Sequence, residues 1–126
     1  MNDRSAFVTV DGVEYELIFT TAAAKKIDEH CGGLEHAWDI IANAEKYTDK
    51  VNEILWFFVL LANQSIFKRK LRDPAGKTAL LTIECMDYLS SPGDYPAMQE
   101  AILEAMQKGT ARDIHSEDDS KNTVTG

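Results

Sequence analysis

Nine consecutive apolar residues, Ile54 to Ala62, stand within the segment Val51–Leu71. At about 100° per residue, such a run turns more than twice around a helix, so its side chains point in every direction. A surface helix would show a single apolar stripe instead. We therefore expect this helix either to be surrounded by other elements or to offer one face to a partner. The run is too short to span a bilayer, which takes roughly 18 to 20 apolar residues, and it ends at Asn63.

The two sides of this central helix differ in composition. The side predicted to form the core seam carries apolar residues: Val51, Leu55, Phe58, Val59, Ala62 and Ile66. The opposite side carries polar residues: Asn52, Glu53, Asn63 and Gln64. Three large apolar residues, Trp56, Leu60 and Phe67, lie among these polar ones. Either other helices cover this side too, or it binds an apolar partner segment. For the second case, we predict Trp56, Leu60 and Phe67 as the partner-binding residues.

The N-terminal residues predict a β-hairpin with strands at about residues 6–10 and 13–19. The strands flank Asp11-Gly12, a dipeptide that tolerates the positive φ angles of a two-residue type I′ turn. This turn sets a register in which apolar residues share one face: Ala6, Val8, Val10, Val13, Tyr15 and Leu17. A lone hairpin is marginally stable in water, so we expect this face to lie on the helices.

Capping and breaking residues predict four further helices around the central one. Their predicted boundary residues are, in chain order, Thr20 or Thr21, Gly32-Gly33, Leu34, Thr82 (or a start one turn before it), Asp94 and Gly109. The polar residues 110–126 predict a disordered acidic tail, because they cannot bury enough apolar surface to offset their ordering entropy. We therefore predict one domain, residues 1–109, of the mainly α (α+β) class. It has a short N-terminal β-hairpin and about five helices packed around the central apolar helix.

The charge balance excludes some classes of partner. The formal net charge of −8 argues against general affinity for nucleic acid, which needs clustered Lys and Arg. The one basic cluster, Lys68–Arg72, lies at the C-terminal end of the central helix. There it either complements the helix dipole, the interpretation we favour, or attracts an acidic partner or the acidic tail. No signal-like segment opens the chain, which predicts a cytoplasmic protein.

No group of residues predicts catalysis, a cofactor or a metal. Gly76-Lys77-Thr78 resembles the end of a phosphate-binding loop, but Leu71 stands where that motif needs glycine, and a helix precedes it instead of a strand. His30, Cys31 and His36 lack the pair spacing of zinc sites. Adjacent helical residues point about 100° apart, so His30 is poorly placed as a base for Cys31. We predict a protein that is not an enzyme, with a nucleophilic Cys31 as the least favoured alternative.

The order of elements resembles a known family. It is carried by the segments VTVDGVEYELIFTTAAAKKIDEHCGG, ILWFFVLLANQSIF and LLTIECMDYLSSPGDYPAMQEAILEAM. Their matching features are Asp11-Gly12, Thr21 to Ala24, Ile54 to Asn63, Leu81-Thr82-Ile83-Glu84 and Ala97 to Met106. Over roughly residues 6 to 108, this pattern resembles the tail assembly chaperones of long-tailed bacteriophages and prophages.

The resemblance implies a non-enzymatic role in virion assembly. Such proteins bind the long, apolar tape-measure protein, keep it soluble and let tail-tube subunits assemble around it. Many also have a C-terminally extended form, made by frameshifting, that recruits the tail-tube protein. We thus expect a protein of the bacterial host cytoplasm that is absent from the mature virion, with homo-oligomerisation left open. The alternative is a small structural or adaptor protein of a phage or prophage morphogenesis module.

Overall fold

The computed structural model describes residues 4–111 of the chain. A β-hairpin is followed by five α-helices and two short 3-10 turns. The elements are β1 (Ser5–Val10), β2 (Val13–Ile18), α1 (Thr21–Cys31), a 3-10 turn (Leu34–His36), α2 (Ala37–Ala42), α3 (Tyr47–Arg72), α4 (Ile83–Leu89), a 3-10 turn (Pro92–Asp94) and α5 (Tyr95–Thr110). The predicted mainly α class with an N-terminal hairpin is confirmed. The predicted disordered tail lies, apart from its first two residues, outside the described part.

The hairpin has the register that the Asp11-Gly12 turn predicts. The two strands are antiparallel, with Val10 opposite Val13 and Ala6 opposite Leu17. Asp11 has φ 51° and Gly12 has φ 78°, the positive values that a type I′ turn requires. The shared apolar face packs on the helices, except at Val13 beside the turn, which is half exposed.

Helix α3 is the centre of the domain. Strand β2 and helix α5 make the broadest contacts with it, and the shorter helices α1, α2 and α4 add further contacts. Every residue of the predicted core seam is buried except Val51, which is half-buried. The buried sector is wider than predicted, since it also includes Ile54, Phe57, Leu61 and Ser65. A helix surrounded on most sides is what a run without charges requires.

Several helix ends follow the predicted capping signals, but Leu34 begins a 3-10 turn before α2, and the Asp94 side chain makes no capping hydrogen bond to α5. The Thr20 hydroxyl accepts a hydrogen bond from the Ala23 N–H at the start of α1, and Thr82 caps α4 in the same way. The central helix begins at Tyr47, four residues before the predicted segment. Helix α5 continues through Gly109 to Thr110, so this glycine does not end the helix as predicted. Its role is a close contact with Phe19.

A half-buried carboxylate joins the hairpin to α3. The Ser5 and Ser65 hydroxyls both donate hydrogen bonds to the Glu16 carboxylate. Burial acts to raise the pKa of Glu16. The two hydrogen bonds and the positive charges of Arg69 and Lys68 act in the opposite direction, and the pKa is lowered overall. The ionised form of Glu16 is therefore more stable in the folded protein than in the unfolded chain.

This lowered pKa predicts a contribution of Glu16 to acid sensitivity. The contribution is fully present above the ordinary pKa of 4.5 and is lost as the pH falls through the lower folded value. We expect Glu16→Gln to lose less unfolding free energy than the wild type between about pH 5 and pH 3. Urea unfolding followed by circular dichroism at each pH measures this. Glu14→Gln, at an exposed position on the same strand, is the matched control, and equal pH slopes for both variants would refute the assignment.

Candidate partner-binding groove

The three predicted partner-binding residues lie together along one open groove. Trp56, Leu60 and Phe67 all line this groove, which has a volume of about 520 Å³. Trp56 and Leu60 are half-buried, and Phe67 is 46% exposed. The three residues extend over eleven positions of α3, about 16 Å at 1.5 Å per residue. This face of α3 is therefore only partly covered by the rest of the domain.

The walls of the groove come from two other helices. Helix α1 contributes Lys26, Glu29 and His30, and Ile83 at the start of α4 contributes from the other side. Ile83 is 37% exposed, so it adds an accessible apolar side chain to this wall. The groove thus has a mainly apolar floor, to which the amides Asn63 and Gln64 also contribute, and one rim that carries charges of both signs.

The indole ring of Trp56 is held in place by its neighbours. The His30 ring stacks on it with a centroid distance of 3.7 Å and an interplanar angle of 10°. Phe57 meets the indole edge-on at 5.1 Å. The His30 ring is itself positioned, because its Nε2 lies 2.8 Å from a carboxylate oxygen of Glu53. Trp56 therefore offers a preorganised apolar surface, which lowers the entropy cost of binding.

Asn63 fixes the segment that leads into α4. Its side-chain NH₂ donates to the Leu81 carbonyl at 3.0 Å, and its side-chain carbonyl accepts from the Leu81 N–H at 2.8 Å. The segment has no regular secondary structure at this point, so these two bonds replace the backbone pairing it lacks. They place Thr82, the cap of α4, and Ile83 beside the groove.

Gln64 was predicted to lie among the polar residues on the side of α3 opposite the core seam, but the structure buries it. This residue is only 4% exposed. The Thr20 hydroxyl donates to its carbonyl at 2.6 Å, and its NH₂ donates to the Leu60 carbonyl. Gln64 therefore ties the start of α1 to α3 and satisfies its own buried polar atoms.

Sequence reasoning missed the wall residues of the groove. The sequence brought His30 into consideration only as a zinc ligand or as a base for Cys31, yet its ring covers Trp56. Its position on α1, outside the apolar pattern, gives no sign of this contact. Ile83 was not predicted to line the groove, because periodicity does not show which face of a short helix is covered.

The described residues give no support to a metal site or to a reactive thiol at Cys31. Within residues 4–111, no three His, Cys, Asp or Glu side chains are arranged to hold a metal ion. Both cysteines are free and half-buried. Burial, together with the carboxylates of Glu53 and Asp28, raises the pKa of Cys31, so its thiolate is disfavoured at neutral pH. The arrangement is suited to burying apolar surface.

No family model, curated protein or solved structure matches the chain. The function must therefore be argued from the groove itself. Among the described residues, no helix combines the length and the apolar character needed to cross a membrane.

Proposed function

We propose that this chain is a non-enzymatic assembly chaperone that holds an apolar helical segment of a client in the groove of α3. The observation that carries the proposal is the alignment of Trp56, Leu60 and Phe67 in one open groove. A free domain normally covers such residues, and an uncovered row of them is typical of a protein-binding surface. A client helix of about three turns would match its length, with anchors at i, i+3 or i+4, and i+7.

The client that fits this proposal is a phage tape-measure protein. Its long apolar helical segments need shielding before the tail tube forms around them, as the resemblance to tail assembly chaperones implies. The net charge of −8 would help to keep such a complex in solution. A fixed aromatic floor with one charged rim suits repeated, reversible capture of apolar helices.

A variant of Phe67 tests the proposal. We expect Phe67→Asp to leave the domain folded, because the side chain is already 46% exposed, and to reduce solubilised client about tenfold or more. The measurement is the amount of soluble tape-measure protein from the same phage or prophage that co-purifies after co-expression. Tyr88→Asp is the control, since Tyr88 is 85% exposed and lies outside the groove.

Two outcomes would contradict the proposal. A folded Phe67→Asp variant that solubilises the client as well as Tyr88→Asp would exclude the groove as the binding site. Recovery of the chain in stoichiometric amounts from purified virions would favour a structural component, because a chaperone leaves before the particle is complete. Circular dichroism of both variants checks that the comparison is made between folded proteins.

A further inference from the structure

A second apolar groove lies where α5 ends. It has a volume of about 420 Å³ and shares no lining residue with the groove of α3. Phe19, Leu34, Trp38 and Met106 form its apolar lining. Leu34 is 38% exposed, so this groove is open to solvent in the described part of the chain.

The chain itself leaves α5 from the rim of this groove. Thr110 and Ala111 belong to the lining. Ala111 has φ −70° and ψ 135°, an extended conformation that ends the helix and directs the chain away from the α5 axis. The residues that follow Ala111 therefore start beside the apolar lining.

One apolar residue of the following segment is within reach. Residues 112–126 contain two large apolar side chains, Ile114 and Val124. At up to about 3.5 Å per residue, the three peptide units from Ala111 to Ile114 can span at most about 10 Å, whereas Val124 follows ten residues later. We propose that Ile114 docks in this second groove and anchors the start of the C-terminal segment to α5.

The tether favours this occupant over others. A side chain three residues from the rim has an effective local concentration in the millimolar range or above, so it outcompetes a second copy or a separate peptide of similar apolarity. The sequence neighbours of Ile114 are the polar residues Asp113 and His115, which need not enter an apolar groove with it. The anchored segment would carry the acidic run Glu117–Asp119 away from a fixed point on the domain.

Trp38 reports on this docking directly. The chain has two tryptophans, so Trp56→Phe leaves Trp38 as the single fluorophore. In this background we expect Ile114→Asp to raise acrylamide quenching of Trp38 about twofold and to shift its emission to the red, because the indole gains contact with water. Val124→Asp is the matched control and should change neither quantity. Ile114→Leu should retain the protection.

Equal quenching in the Ile114→Asp and Val124→Asp variants would overturn the proposal. Protection of Trp38 that grows with protein concentration in Ile114→Asp would also overturn it, since a second copy would then be the occupant. Should Trp56→Phe disturb the fold, 5-fluorotryptophan labelling of the wild-type background gives a separate ¹⁹F resonance for Trp38. That resonance should move in Ile114→Asp and stay in place in Val124→Asp.

Discussion

Replacing Phe58 by alanine should lower the free energy of unfolding by about 3–5 kcal/mol, the usual cost of removing a buried aromatic ring. Phe58 is 0% exposed on the core side of α3. Its ring meets the edge of Tyr15 at a centroid distance of 5.5 Å, so the substitution would also remove a contact between α3 and the hairpin. Urea unfolding followed by circular dichroism measures the change.

Phe67→Ala is the matched control for this experiment. This substitution lies on the opposite side of α3. It should lower the free energy of unfolding by about 1 kcal/mol or less, because Phe67 is already 46% exposed. The pair of variants separates the side of α3 that holds the domain together from the side that we assign to client binding. Equal losses in the two variants would mean that Phe67 belongs to the core.

Gly109→Ala should destabilise the domain by about 1–3 kcal/mol, the typical cost of overpacking. Helix propensity alone predicts the opposite sign, since alanine is favoured over glycine by about 1 kcal/mol within a helix. A Cβ atom at this position would lie 2.7 Å from both the Cβ and the carbonyl oxygen of Phe19. Backbone atoms cannot move aside as a flexible side chain can, so α5 would have to shift away.

Gly93→Ala provides the control for the steric argument. No heavy atom lies within 4 Å of the Cβ that this substitution would add. We expect a change within about 0.5 kcal/mol, as at other unconstrained surface positions. Stabilisation by Gly109→Ala would show that α5 has room to accept a methyl group and would refute the close packing against Phe19.

The sequence predicts those features of this fold that depend on local rules. The hairpin register follows from Asp11-Gly12 together with alternating side chains, because a two-residue turn leaves one register. The caps Thr20 and Thr82 follow from the hydrogen bonds that a helix N-terminus needs. The turn that closes the hairpin and the two caps each join residues only three positions apart in the sequence.

Features that depend on tertiary contacts were less predictable. Helical periodicity placed Trp56, Leu60 and Phe67 on one side of α3, but it could not show whether that side is covered. Gln64 was placed on the polar side because amides are usually solvated, yet its partner Thr20 is 44 residues away in the chain. Gly109 looked like a helix stop, since a sequence does not reveal that Phe19 approaches it.

The pairing of Asn63 with Leu81 has a thermodynamic consequence for recognition. One amide side chain holds a connecting segment that contains no regular secondary structure at that point. The conformational freedom of this segment is thus lost when the domain folds, not when a client arrives. Because Ile83 follows Leu81 by two residues, this wall of the proposed binding groove is already ordered before any client would bind. Association can then be fast and reversible, since little of the interaction energy is spent on arranging the receptor.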